Sequence, residues 1–318
     1  MNKTLYGIKT SLSGLMHGLL DSQCRRVAKM LMRAGLLERM IVVRVDGGVS
    51  SQMHFYMIGR LFEKQGYKVK YDLRFFMFDG YDINHEFVRN FDLLKLFPRL
   101  PYQQASRLEA YLYSKAFEHL NDYDNETEPI KYLELTPPRY LAGYYRNPLN
   151  SYDSFAAEFP LDYSVLDKAN QSVLADIKSR KTPVAMHIRR GDLSVYNLYY
   201  GSPVDEHYLN AAIDYIESLS GACSYFIFSD EPSWVEQNLM GELKLSDCRI
   251  VDINGSDKGY MDLLLMSACH YHITSKGTLG KYGGFLSNYP DKRIVVCDDK
   301  YERSVWDNQH KDIVFIKA

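Results

Sequence analysis

Val184-Ala185-Met186-His187-Ile188-Arg189-Arg190-Gly191-Asp192 is an apolar run that breaks abruptly into two adjacent arginines, a glycine and an aspartate. Thr182 to Ile188 has the β-branched and apolar content of a buried strand, with Pro183 at its start, where a missing N–H is tolerated. Strand alternation turns His187 and Arg189 to one face and Ile188 and Arg190 to the other. Ligands of open α/β sheets collect beyond the carboxyl ends of the strands, so the guanidinium pair sits where an anion would be gripped. Arginine suits that work, because its planar fork makes paired hydrogen bonds to phosphate and stays charged. Gly191 lets the backbone turn closely, and Asp192 either orients an arginine or takes a proton. Two plainer readings compete. Arg190 and Asp192 form a structural ion pair in one; in the other, Arg190-Gly191-Asp192 is an adhesion tripeptide, which needs an exposed loop tip and not the end of a buried strand.

Outward from this run, strands and helices alternate from Met40 onward, the pattern of βα units and a parallel sheet. Ile41 to Val45 reads as a strand, Asp46 to Gln52 as its turn, Met53 to Gln65 as a helix, and Val69, Tyr71 and Leu73 as the next strand. Residues 83–120 read as mostly helical, Tyr132 to Leu135 as a strand, and Tyr140 to Asp153 as a connection before a helix at Leu161 to Ser179. Beyond Ile188, strands are expected at Tyr225 to Phe228, Arg249 to Ile253, Tyr271 to Thr274 and Arg293 to Cys297. Helices fill the intervals. The expected organisation is a basic extension over 1–40 and two Rossmann-like domains, 41–165 and 166–318.

With 318 residues, 46% of them hydrophobic and 25% charged, the chain has the composition of an ordinary globular protein. A net charge of -2 speaks against nucleic acid as a partner, so an anion site must be local. The five cysteines show no C-x-x-C spacing, which indicates neither a disulfide framework nor a zinc knuckle. No run approaches a membrane span or a signal peptide, and cytoplasmic residence is the expectation. The first 39 residues hold seven basic against two acidic side chains among interspersed leucines. Such a basic amphipathic stretch either packs on its domain or makes peripheral contact with an anionic membrane surface. Asp122-x-Asp124 lies in a polar run and reads as a solvated loop, not a metal site.

Loops that follow parallel strands share one sheet edge, so those after Ile188, Phe228 and Thr274 should converge. Ser229 and Asp230 offer a hydroxyl and a carboxylate able to read a base, and either also serves as a helix N-cap. Ser275-Lys276-Gly277-Thr278 opens a helix, where backbone N–H groups, the helix dipole and a lysine form a diphosphate cradle. It lacks the spacing of a Walker loop. In the first turn, Gly47 and Gly48 permit close approach to a ligand, and Ser51 or Gln52 can bind a hydroxyl.

Assembled, these segments resemble the α-1,2-fucosyltransferases of glycosyltransferase family 11. His187-Ile188-Arg189-Arg190-Gly191-Asp192 matches their H-x-R-R-G-D motif, Asp46 to Met53 is similar to their G-G-L-G-N-Q-M, and Ala142-Gly143-Tyr144-Tyr145 to their G-Y-W/F. Phe228-Ser229-Asp230 matches F-S-D, and Asp262 to Cys269 matches D-L-x-L-M-S-x-C. The resemblance implies an α/β fold of the GT-B type, two Rossmann-like domains facing across a cleft, the first on the acceptor side and the second binding the nucleotide sugar. It further implies GDP-fucose as donor substrate with no other cofactor, inversion at the anomeric carbon, no required metal, and a galactose 2-hydroxyl as acceptor. The glycan expected is an O-antigen or capsule repeat on a polyprenyl carrier. Arg189, Arg190, Asp192 and His187 would be catalytic; Ser229, Asp230, Ser275, Lys276, Gly277, Thr278, Gly47 and Gly48 would hold the donor; Ser51 and Gln52 would meet the acceptor. Two departures stand out. Ser50 and Ser51 replace the family's glycine and asparagine, and Lys276 to Gly283 keeps only the threonine and last glycine of N-S-T-F-S-W-W-G.

Overall fold

The computed structural model describes residues 21–78, 80–81, 88–120, 131–143, 155–195, 201–255, 257–306 and 310–317. The chain divides into two compact units: one comprises Met1–Asp46, Met53–Gly80 and Pro101–Pro148, the other Gly47–Gln52, Tyr81–Leu100 and Leu149–Ala318. Each is built on a parallel sheet with helical connections, the α/β, Rossmann-like organisation expected of a GT-B protein.

In the first unit, residues 21–33 form α1. Then come β1 (Ile41–Arg44), α2 (Val49–Lys64, which begins in the other unit), β2 (Val69–Asp72), α3 (Arg74–Phe78), α5 (Arg107–Ala116), β3 (Glu118–Leu120) and β4 (Arg139–Ala142). The strand order is β2-β1-β4-β3, all parallel. Ala28, Leu37, Met40 and Val42 bury against Tyr113 and Tyr140, so the basic N-terminal stretch supplies core to this unit from Ala28 onward. Residues 1–20 lie outside the described set, and Lys3 and Lys9 with them. No helix of the described residues is long and apolar enough to cross a membrane.

The second unit begins, in chain order, with α4 (Leu93–Leu96), α6 (Phe155–Glu158) and α7 (Lys168–Ser179). Its sheet uses β5 (Pro183–Ile188), β6 (Ser224–Ser229), β7 (Cys248–Ile250), β8 (Tyr271–Thr274), β9 (Ile294–Cys297) and β10 (Ile313–Ile316). Between them run α8 (Gly191–Val195), α9 (Glu206–Ser220), α10 (Pro232–Asn238), α11 (Gly259–Ser267), α12 (Leu279–Leu286) and α13 (Lys300–Trp306). Asp167 and Asp205 cap α7 and α9 by accepting from the N–H of Asn170 and Tyr208, each at 3.0 Å. The sheet order β7-β6-β5-β8-β9-β10 is the Rossmann order: succession runs outward from β5 on one side, then returns to its other edge at β8. All six residues of β5 are buried. Val184, Met186 and Ile188 pack with Tyr208, Leu209 and Ile213 of α9.

Five expectations are corrected here. Tyr132 to Leu135 is not a strand; Lys131–Glu134 is a 3-10 turn that ends before the Pro137-Pro138 pair. The described part of the helical middle is helical only in α4 and α5, and its end becomes β3, a polar Glu-His-Leu strand held by its ladder with β4. The supposed Tyr-rich connection opens with β4, whose central position between β1 and β3 is a long-range pairing. Downstream, β10 and α13 were not foreseen, and β7 stops at Ile250 instead of Ile253. Phe87, Asp122 and Asp124 lie outside the described residues.

Candidate active site

The switch in strand order puts the loops after β5 and β8 side by side, at the crevice where doubly wound sheets bind ligands. The bonds follow that order. Ser275 donates its N–H to the His187 carbonyl at 3.0 Å, and Arg189 donates its N–H to the Ser275 hydroxyl at 2.8 Å. On the other side of β5, Arg190 donates its N–H to Asp230 Oδ1 at 2.9 Å, joining the loop after β6. Burial lifts the Asp230 carboxyl above its ordinary range, and this N–H bond works against the rise. Ser229 accepts from the Glu231 N–H at 3.1 Å. Three of the expected loops therefore meet within one unit.

The two arginines diverge as strand alternation requires. Arg189 is held in a fork by Asp192, Nε to Oδ1 at 3.1 Å and Nη2 to Oδ2 at 2.6 Å. Its Nη1 lies so close to Gly277 that an added Cβ would meet it at 2.6 Å, and Gly277 has φ +86°. The positive φ favours glycine here, and any Cβ would also have to displace the Arg189 guanidinium. Arg190 instead turns to Glu231, at 3.2 Å, and stacks on Trp234 with the guanidinium 3.2 Å from the ring centre. An added Cβ on Gly191 would stand 2.9 Å from Asp230 Oδ2, which is why the loop can close here.

Lys276 is buried and paired with Asp299. Thr278 is the N-cap residue of α12 but makes no side-chain cap bond. His187 does not open onto the loops. Its side chain is buried under Gly280, where an added Cβ would stand 2.7 Å from His187 Cβ and 3.0 Å from the ring, and burial beside Lys281 and Arg189 lowers its pKa to about 3. A ring so placed stays neutral near pH 7 and packs between β5 and the start of α12.

The glycine turn before α2 has Gly47 at φ +72°. Ser51 lies in the first turn of α2 and is half-buried. Gln52 is fully buried. Its Nε2 donates to the carbonyls of Gly47 at 3.1 Å and Asn90 at 2.8 Å, while Oε1 accepts from Asp92 and Leu93 at 2.8 and 2.9 Å. These bonds use the whole capacity of the amide, leaving Gln52 to brace the turn against α4 with nothing over for an acceptor hydroxyl.

Four more residues acquire their partners only in three dimensions. Lys281 and Glu302 form a buried ion pair at 2.9 Å, and Asp299 both meets Lys276 and caps Glu302 N at 2.9 Å. The fourth is Asp262, whose Oδ1 accepts from Asn254 Nδ2 at 2.7 Å and whose pKa burial raises to about 7. A lone carboxylate inside Met261 to Met266 was the available signal for it. Among the described residues no group of three or more histidine, cysteine, aspartate or glutamate side chains is placed to hold a metal ion.

The profile of glycosyl transferase family 11 matches residues 107–312. An Escherichia coli O-antigen biosynthesis glycosyltransferase, WbnK, is 30% identical over 115 residues, 35% of this chain and 36% of that protein. An alpha-1,2-colitosyltransferase of the same organism is 24% identical over 268 residues, 78% of this chain and 88% of that one. Galactoside alpha-(1,2)-fucosyltransferase 2 of Bos taurus is 27% identical over 180 residues, which span 53% of this chain and 50% of the bovine enzyme.

Proposed function

Because the chain belongs to glycosyl transferase family 11, a family that transfers a sugar from a nucleotide donor to a glycan, we propose that it transfers L-fucose from GDP-fucose to the 2-hydroxyl of a galactoside, with inversion and release of GDP. The observation that carries this reading is the Arg189–Ser275–Gly277 junction at the switch between β5 and β8. Glycosyl transfer passes through an oxocarbenium-like state in which the leaving diphosphate gains charge. Arg189, Lys276 and the backbone amides of the loop before α12 stabilise that charge, the preorganised electrostatics expected to supply the largest catalytic contribution. Asp192 holds the Arg189 fork in place. Asp230 and Ser229, beside them, face the base.

The acceptor proposed is a bacterial surface glycan on a polyprenyl carrier, which brings the enzyme to a membrane. What supports that contact is α1: Arg25, Arg26, Lys29 and Arg33 are exposed, with Val27 44% and Met30 66% exposed among them. A second donor remains in view. The altered loop Lys276 to Gly283 and the extended likeness to an alpha-1,2-colitosyltransferase favour a different deoxysugar nucleotide as the alternative.

Incubation with GDP-fucose and lactose is expected to release GDP and form a fucosylated product, and calorimetry is expected to show binding of GDP over UDP. Arg189→Ala lowers turnover by about 10²-fold, as loss of one preorganised donor to a developing anion does. An Arg189→Ala enzyme working at the wild-type rate overturns the assignment.

A further inference from the structure

Lys281 is fully buried in the first turn of α12, and its ammonium reaches back beneath the loop that precedes the helix. It donates to the carbonyl oxygens of Ser275 at 2.7 Å and Gly277 at 2.9 Å, and it faces Glu302 Oε2 at 2.9 Å. Two carbonyls and one carboxylate thus occupy an ammonium that has three protons to give. Glu302 is just as buried, and besides that ammonium its carboxylate has no hydrogen-bond partner among the described residues. Compensating Lys281 is what this carboxylate does. Burial lowers the pKa of this ammonium, and Glu302 works against that shift.

The consequence is for the loop. A trans peptide points its C=O and N–H in opposite directions, so drawing the Ser275 and Gly277 carbonyls inward turns the N–H groups of Lys276 and Thr278 away from Lys281. Neither N–H donates to a backbone carbonyl among the described residues. Outward amides beside a guanidinium form an anion-binding concavity, and Arg189 Nη1 lies against Gly277 in the middle of this loop. Lys281 at the start of α12 pairs with Glu302 of α13, and Lys276 in the loop pairs with Asp299 just before α13, where Asp299 also caps Glu302 N. A buried ion pair is not an economical stabiliser, since apolar residues of the same volume often hold a fold as well or better. Here its ammonium is spent on two loop carbonyls.

We infer that Lys281 and Glu302 are a positioning pair that fixes Ser275 to Thr278 with its amides presented to the donor's diphosphate. The pair touches no ligand and acts only through the loop backbone. This rests on the nucleotide-sugar function proposed above.

The test compares wild type with Lys281→Met/Glu302→Gln, which removes both charges and nearly keeps the volume, using GDP and inorganic pyrophosphate as calorimetric probes and melting temperature as the control for folding. The expected result is a variant that melts close to wild type yet binds both probes at least roughly tenfold more weakly, about 1.4 kcal/mol. Wild-type affinity in a folded double variant makes the pair merely structural and overturns the inference. If wild type binds pyrophosphate but not GDP, the nucleotide reading fails while the loop's role is still decided by the pyrophosphate comparison. Binding of neither probe to wild type overturns both. Should the double variant not fold, the amide resonances of Lys276 and Thr278 in wild type decide: pyrophosphate shifts them if they are the anion donors, and unshifted signals reject the inference.

Discussion

Asp262 carries the clearest consequence at the scale of a single residue. Its carboxyl sits in an apolar helix, and burial raises its pKa from an ordinary 3.8 to about 7. The folded chain therefore keeps a proton that the unfolded chain loses as pH rises above about 4. Stability falls through that window, by about 1.4 kcal/mol per pH unit at most, and levels off above pH 7. Asp262→Asn retains the Oδ1 that accepts from Asn254 and removes the ionisation. Its melting temperature should rise relative to wild type between pH 5 and 7 and stay above it at pH 8. A difference that does not change with pH would contradict the account. The arginines, by contrast, were legible residue by residue, because strand alternation alone predicts that Arg189 and Arg190 face opposite ways. The opposite fates of their guanidinium groups, on Asp192 and on Trp234, follow from that. Gln52 shows the limit: its type suits a ligand contact, but its burial and four backbone bonds make it a brace.

Among the elements, the loop between β8 and α12 depends most on its glycines. Gly277 combines a left-handed φ with an approach to Arg189 that leaves no space for a methyl group. Gly277→Ala forces the backbone out of that conformation, at a cost of about 1–3 kcal/mol, or pushes Arg189 off Asp192. GDP affinity is expected to fall at least roughly tenfold. Gly221→Ala is the matched control: it too has positive φ, at +73°, but nothing lies within 4 Å of its Cβ position. It should lower the melting temperature and leave GDP binding unchanged; equal losses in both variants would assign the effect to strain alone. Periodicity located β5, β6, β8 and β9 well. It overlooked β3, which is short and polar and is held as a strand by its ladder with β4, and it also passed over β4 and β10, each paired in parallel with a neighbouring strand.

For the molecule as a whole, the distribution of charge matters more than its total. A net of -2 conceals the exposed basic face of α1, whose opposite side packs Ala28, Leu31 and Met32 on the first unit. Deleting the stretch would strip core from that unit, so substitution is the cleaner experiment. Arg25, Arg26, Lys29 and Arg33 changed together to Gln should abolish flotation with vesicles rich in anionic lipid while the melting temperature holds. Flotation of wild type should weaken as salt rises, because exposed charges are screened. Equal flotation of variant and wild type would remove the membrane contact.

Local pattern by itself determined the alternation of strands and helices, the arginine pair at the carboxyl end of a buried strand, and the glycine-rich start of α12, because period and turn chemistry are written in neighbouring residues. The tertiary structure alone decided that Arg189 meets Ser275 across 86 positions of chain, and that Lys281 finds Glu302 beneath the loop. Those partners are selected by sheet order and burial, and a charge chooses a distant counter-charge only once packing has excluded water from both.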